Sequence, residues 1–190
     1  MNEDAILPLL VLGVPLLLLL VFVIANFNRL VRVRQHIRES WADISVEMKR
    51  RYDLIPNLVE TVKGYAAHER EIMEQVAKLR QQAMQNTGSA AAQAVDERAL
   101  GIGVGRLLAV AEAYPDLKAD AHFLALQQEL TNTEDRIAAS RRFYNGNVRE
   151  LNQLCRAFPT NVLASVFGFE EASYFELEDQ SQRAAPPVKY

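Results

Sequence analysis

The sequence predicts an all-α protein: a single N-terminal transmembrane helix, then an elongated antiparallel bundle of four long helices and a short C-terminal helix. Three observations lead there. Residues 6–25, ILPLLVLGVPLLLLLVFVIA, hold no charged side chain. Apolar residues then recur at three- and four-residue steps, the helical period. Further on, Phe123, Leu130, Ile137, Tyr144, Leu151 and Phe158 fall every seven residues, the spacing of a bundle seam.

A helix over 6–25 spans roughly 30 Å, the hydrocarbon thickness of a bilayer, and satisfies its own backbone there. Val23 and Ala25 offer a passable cleavage pattern, but a signal peptide wants a basic start and a shorter apolar run. Here Glu3 and Asp4 precede the run, so a retained span is the expectation. Pro15 deletes a helical bond to Val11 beside Gly13, which predicts a kink. Arg29, Arg32, Arg34 and Arg38 follow the span and nothing basic precedes it. By the positive-inside rule the N-terminus lies outside and the rest lies in the cytoplasm. The same arginines suit anionic headgroups, at about 1 kcal/mol each near the surface. The domains expected are an external N-terminus and span over 1–28, a cytoplasmic bundle over 29–168 and an acidic, partly disordered tail over 169–190.

Net charge is −3 but unevenly spread. Residues 29–52 carry seven basic and three acidic side chains, whereas residues 159–190 carry two basic and five acidic ones. An acidic tail and a short basic segment do not make the broad positive face that phosphate backbones need, so nucleic acid is excluded as the principal partner. The single cysteine, Cys155, permits no intramolecular disulfide, in keeping with a reducing cytoplasm, and reads as a small buried hydrophobe.

From Asn28, the residues Leu30, Val33, Ile37, Trp41, Ile44, Met48 and Ile55 mark one apolar face, broken only by Arg51. This first bundle helix continues out of the membrane. It is expected to stop near Tyr52, with Asp53 capping the next helix and Pro56 in its first turn. The second helix buries Leu58, Val62, Tyr65 or Ala66, Ile72 or Met73, Val76, Leu79 and Ala83, with Gly64 at a close contact. NTGSAAA, residues 86–92, is a flexible loop. The third helix, about 91–114, shows Val95, Ala99, Ile102, Ala109 and Ala113 on a common face. Its Gly101, Gly103 and Gly105 lack the strand and spacing of a phosphate loop, and Gly101 and Gly105 fit close helix approach instead.

Pro115 ends that helix and Asp116 can cap the next. The fourth helix carries the seven-residue seam, with Leu126, Thr133, Ser140, Asn147 and Leu154 between, and runs on through Gly146. Its polar middle is expected to hydrogen-bond to backbone or lie at the seam edge. After Pro159, Thr160 or Asn161 caps a short helix through Val166, ended by Gly168. Phe169, Tyr174 and Phe175 pack back, and residues 178–190 form a disordered tail or partner-binding strand. Predicted lengths of about 36, 50 and 65 Å for the first, second and fourth helices imply a bundle held at an angle to the bilayer.

Long motifs in this chain resemble the LemA family. They are Trp41-Ala42-Asp43-Ile44, Lys49 through Val59 (KRRYDLIPNLV), Val62-Lys63-Gly64-Tyr65 and His68-Glu69. They continue with Glu112 through Ala119 (EAYPDLKA), Leu130-Thr131, Thr133 through Ala138 (TEDRIA), Arg141 or Arg142, Tyr144-Asn145 and Phe158-Pro159. The resemblance implies a bacterial inner-membrane protein with a short outside N-terminus and a cytoplasmic antiparallel helical bundle. It brings no established catalytic residue to carry over. A family relative associated with magnetosome membrane formation implies membrane organisation as a setting.

A search for chemistry finds little. A di-iron bundle needs Glu-x-x-His on two helices; His36 with Glu39 and His68 with Glu71 show the reverse order, and His122 has no such partner. No catalytic, cofactor or metal residues are assigned. Lys49, Arg50, Arg51 and Asp53, with Glu134, Asp135 and Arg136, read as capping and interhelical ion pairs. The sharper reading is a partner-docking hairpin at Arg50, Arg51, Tyr52, Asp53, Pro56 and Asn57. The function expected is a non-enzymatic scaffold or adaptor of the inner membrane, acting by self-association or by recruiting other membrane-associated proteins. An enzyme with an unrecognised site and a membrane-linked sensor are the alternatives.

Overall fold

The computed structural model describes residues 3–176, with side chains described from residue 11 onward. The expected tail over 178–190 lies outside the described residues. The described residues are helical and contain no strand, as the sequence predicts. In order, the helices are α1 (Glu3–Tyr65), α2 (Arg70–Gln85), α3 (Ala90–Ala111), α4 (Pro115–Lys118), α5 (Ala121–Arg156) and α6 (Thr160–Val166). The described residues form two units, one within residues 1–39 and 145–172, the other within residues 40–144 and 173–176.

The first correction concerns α1, which is one helix of 63 residues. No turn occurs at Tyr52–Pro56. The apolar positions Met48, Ile55, Leu58 and Val62 keep one helical face buried straight through the proline. Pro56 removes the N–H that would serve the Tyr52 carbonyl. Arg80 fills that gap, its Nε donating to Tyr52 O at 2.6 Å. With that acceptor satisfied, burial of the face outweighs the proline. The helix ends only after Gly64 and Tyr65, and Gly64 has open space around it instead of the close contact expected.

In the unit of residues 40–144, α1 and α5 run antiparallel. Arg50 meets Glu129 at 2.7 Å and Tyr65 donates to Asp120 at 3.0 Å. The α2–α3 hairpin is antiparallel as well, with Gln82 and Asn86 both donating to Asp96. Its core holds Ile44, Leu58 and Val62 of α1, Val76 of α2, Leu100 and Leu107 of α3, Leu117 of α4, and Phe123 and Ile137 of α5. Each such side chain contributes about 1.5–3 kcal/mol on burial. Phe175 packs edge-on against Trp41 at 5.6 Å, and Trp41 stacks at a tilt on Tyr144 at 5.4 Å.

α3 buries a different face from the one expected. Gln93, Ala94, Glu97, Leu100, Gly103, Val104 and Leu107 face inward, while Val95 and Ile102 are exposed. Two buried polar residues disguise the true stripe. The close-approach glycine is Gly103, where a Cβ would come within 2.9 Å of Leu79; Gly101 and Gly105 have open space. Asp120, not Asp116, caps α5, accepting from the Phe123 N–H at 2.8 Å. That backbone bond, with the Tyr65 hydroxyl, holds the Asp120 carboxyl below its ordinary value.

In the unit of residues 1–39 and 145–172, Arg29 reaches Glu150 at 2.8 Å and Asn147 donates to the His36 carbonyl at 3.3 Å. α5 thus runs antiparallel to α1 here too, without a break at Gly146. Leu30, Val33, Leu151, Leu154, Ala164 and Phe169 form the core, with Phe27, Ile37, Cys155 and Ala172 against it. α6 ends as the sequence predicts, on Gly168 in the left-handed region at φ 68°. The Phe169 N–H then returns to Ala164 O at 2.9 Å, closing the last turn and placing Phe169 on Ala164. Phe158, expected on the α5 seam, lies beyond its end and is exposed.

Candidate functional site

A buried polar cluster sits in the unit of residues 40–144, where Arg51 interrupts the apolar row of α1. Arg51 is 2% exposed. It pairs with Glu97 of α3, itself 3% exposed, and with Glu134 of α5 at 2.6 Å. The Tyr52 hydroxyl also donates to Glu97. The Gln93 amide lies 2.9 Å from Glu97 and 3.0 Å from the Ala83 carbonyl, tying α2 into the group. Burial pushes the Tyr52 phenol up, against the lowering influence of Arg51. One cation is thus shared between two carboxylates from different helices. Such a group fixes helix register, because any slip would leave a charge buried and unpaired.

Of the charged group that the sequence singles out, Lys49, Arg50, Arg51 and Asp53 with Glu134, Asp135 and Arg136, Arg51–Glu134 and Lys49–Asp53 pair within the set, while Arg50–Glu129, Arg51–Glu97 and Arg136–Glu47 reach partners outside it. Glu97 and Gln93 were missed. Their spacing, four residues apart on a helix of weak apolar pattern, was the available signal. Thr133, fully buried, donates to the Glu129 carbonyl at 2.7 Å, the backbone bond expected of the polar seam.

The six docking candidates do not form a hairpin. They lie within α1 and divide by face: Arg51 and Tyr52 point into the polar cluster, while Arg50, Asp53, Pro56 and Asn57 are exposed. Asn57 lines a shallow groove of about 380 Å³ with Thr61, His122, Ala125, Leu126 and Glu129. Arg50 closes on the same Glu129.

Of the basic residues after the apolar run, Arg29, Arg32, Arg34 and Arg38 are all exposed. Arg29 pairs with Glu150, and the Arg34 guanidinium lies 4.6 Å from the centre of the Phe169 ring. The side chains of residues 11–24 are almost all exposed, and this part of α1 is long and apolar enough to cross a bilayer. His36, His68 and His122 are exposed, and among the described residues no three His, Cys, Asp or Glu side chains converge as metal ligands.

The profile of the LemA family matches residues 40–190. Magnetosome protein MamQ 2 of Paramagnetospirillum magneticum is 27% identical over 176 residues, covering 80% of this chain and 65% of that relative. The chain therefore spans under two thirds of that protein's length. MamQ of Magnetospirillum gryphiswaldense is 25% identical over 194 residues, covering 87% and 71% of the two chains. Protein LemA of Metamycoplasma hominis is 26% identical over 153 residues, covering 80% and 69%.

Proposed function

We propose that this chain, which belongs to the LemA family, is a non-enzymatic scaffold or adaptor anchored by α1 in the bacterial inner membrane. In this reading the N-terminus lies outside and the residues after the apolar run lie in the cytoplasm, oriented by Arg29, Arg32, Arg34 and Arg38. The observation that carries it is the continuity of α1. One uninterrupted helix holds the exposed apolar residues 11–24 and the buried positions Leu30, Ile44 and Leu58. The element that anchors the chain is also the element on which its helical core is built. The main polar cluster supports a structural role, because Arg51, Glu97 and Gln93 are buried and turned toward one another. Similarity to magnetosome proteins extends the reading to organisation of a membrane surface.

The outward face of α1 at Arg50, Asp53, Pro56 and Asn57, with the groove beside Asn57, is the docking surface for a second copy or another membrane-associated protein. A photo-cross-linking residue at position 50, 53 or 57, in intact cells, is expected to give discrete adducts with one or the other. Absence of adducts from all three positions, with the protein monomeric in native membranes, would overturn the scaffold reading. A cofactor bound at unit stoichiometry with substrate turnover would replace it with an enzyme.

A further inference from the structure

The α5–α6 corner exposes apolar side chains without a charge among them. No charged side chain lies between Arg156 and Glu170. Within that stretch Phe158 is 85% exposed, Val166 72%, Val162 53% and Phe167 45%. Val162 and Val166 are four residues apart and share one face of α6, opposite to the buried Ala164. Leaving this much apolar surface in water is unfavourable at about 25 cal/mol per Å².

Register shows where the corner lies along α1. Arg29 faces Glu150 and α5 runs toward the anchor from there. Its last six residues, to Arg156, carry it about 9 Å further, level with about residue 23 of α1. Aromatic contacts agree: the Phe167 ring lies 4.8 Å from that of Phe27, edge to face, and Phe169 lies 6.1 Å from it. Phe27 is two residues past the apolar run, about 3 Å of helix. The headgroup layer is roughly 5–7 Å deep on each side of the hydrocarbon. Arg34, stacked on Phe169, stands on the water side of the same group.

We propose that Phe158, Val162, Val166 and Phe167 enter the headgroup–acyl boundary beside α1, giving the protein a second contact with the lipid bilayer. The inference rests on the reading that residues 6–25 span the membrane. An uncharged, exposed apolar corner beside the exit of such a span, with arginines behind it, is what an interfacial element requires.

The test uses the full chain with Cys155→Ala, in vesicles of phosphatidylcholine and phosphatidylglycerol. Nitroxide labels go at Val162→Cys and Val166→Cys, with Leu18→Cys as the anchor reference and Val95→Cys as the aqueous one. Power saturation with oxygen and a water-soluble nickel complex is expected to show oxygen dominating at 162 and 166, as at 18, and nickel dominating at 95. Nickel dominance at 162 and 166 with oxygen dominance at 18 would overturn the corner contact alone. Nickel dominance at 18 would remove the spanning reading and the corner with it. Exclusion of both agents with spin–spin broadening would assign the surface to a second copy of the chain and overturn the lipid contact.

Discussion

Arg80 Nε lies 2.6 Å from the main-chain oxygen of Tyr52, the acceptor that Pro56 leaves without its helical donor. A side chain of α2 thus repairs the backbone of α1, and the continuity of α1 depends on a residue remote in sequence. A charged donor on an otherwise unsatisfied, part-buried carbonyl contributes about 1.5–3 kcal/mol.

Arg80→Met is therefore expected to destabilise the wild-type protein by about 1.5–3 kcal/mol. Pro56→Ala restores the N–H, so in that background the same change should cost clearly less, with a coupling of about 0.5–3 kcal/mol. Thermal unfolding of the four proteins in micelles, followed by circular dichroism, measures the cycle; equal costs in both backgrounds would refute the repair.

The Arg51–Glu97 pair makes a second test. Glu97→Ala leaves the buried Arg51 with Glu134 as its remaining carboxylate partner and is expected to cost up to about 3–5 kcal/mol. The pair replacement Arg51→Met with Glu97→Leu should recover most of this, since well-packed apolar groups often substitute for buried ion pairs without loss. If the double variant is no more stable than Glu97→Ala, the cluster does more than satisfy its own charges.

Glycines of α3 differ in their surroundings, and their alanine variants should differ too. Gly101→Ala and Gly105→Ala enter open space and are expected to stabilise by about 0.5–1 kcal/mol each. Gly103→Ala gains the same propensity but pushes on Leu79, so its melting temperature should rise less or fall. A Gly103→Ala gain as large as that of Gly101→Ala would show that α2 and α3 do not need the close approach.

Alkaline pH reports on the buried phenols. Burial raises the folded-state values of Tyr52 and Tyr144 above 10.0. Each group's protonated form is favoured by the fold, so its contribution is complete below pH 10 and is lost as pH climbs through the raised folded value. Absorbance at 295 nm should show a late tyrosine component that shrinks in Tyr52→Phe with Tyr144→Phe, the remainder belonging to Tyr65, whose hydroxyl bond to Asp120 also raises it. A single titration near pH 10 in the folded wild-type protein would contradict the burial.

Much of the fold was legible in the residue pattern. The apolar run over 6–25 and the seven-residue recurrence from Phe123 to Leu151 reflect one-dimensional periodicity, which sequence displays directly. The end of α6 at Gly168 depended on local backbone freedom, also a sequence property. The candidate site was less legible. Glu97 and Gln93 carry no local signal of burial, because their partners, Arg51, Tyr52 and Ala83, come from other helices. The turn expected at Pro56 failed because a proline's local cost is visible in sequence, whereas its repair by Arg80 is not. Likewise Gly103 could be distinguished from Gly101 and Gly105 only once Leu79 was in place.

By itself, then, the sequence determined the helical class, the apolar segment able to cross a bilayer and the faces that α5 buries. Tertiary structure decided where α1 ends, which face of α3 turns inward, and which of the charges around residue 51 are buried together. The physical reason is range: periodicity and capping act within a few residues of the chain, whereas burial and charge pairing depend on neighbours that only the folded backbone brings within contact.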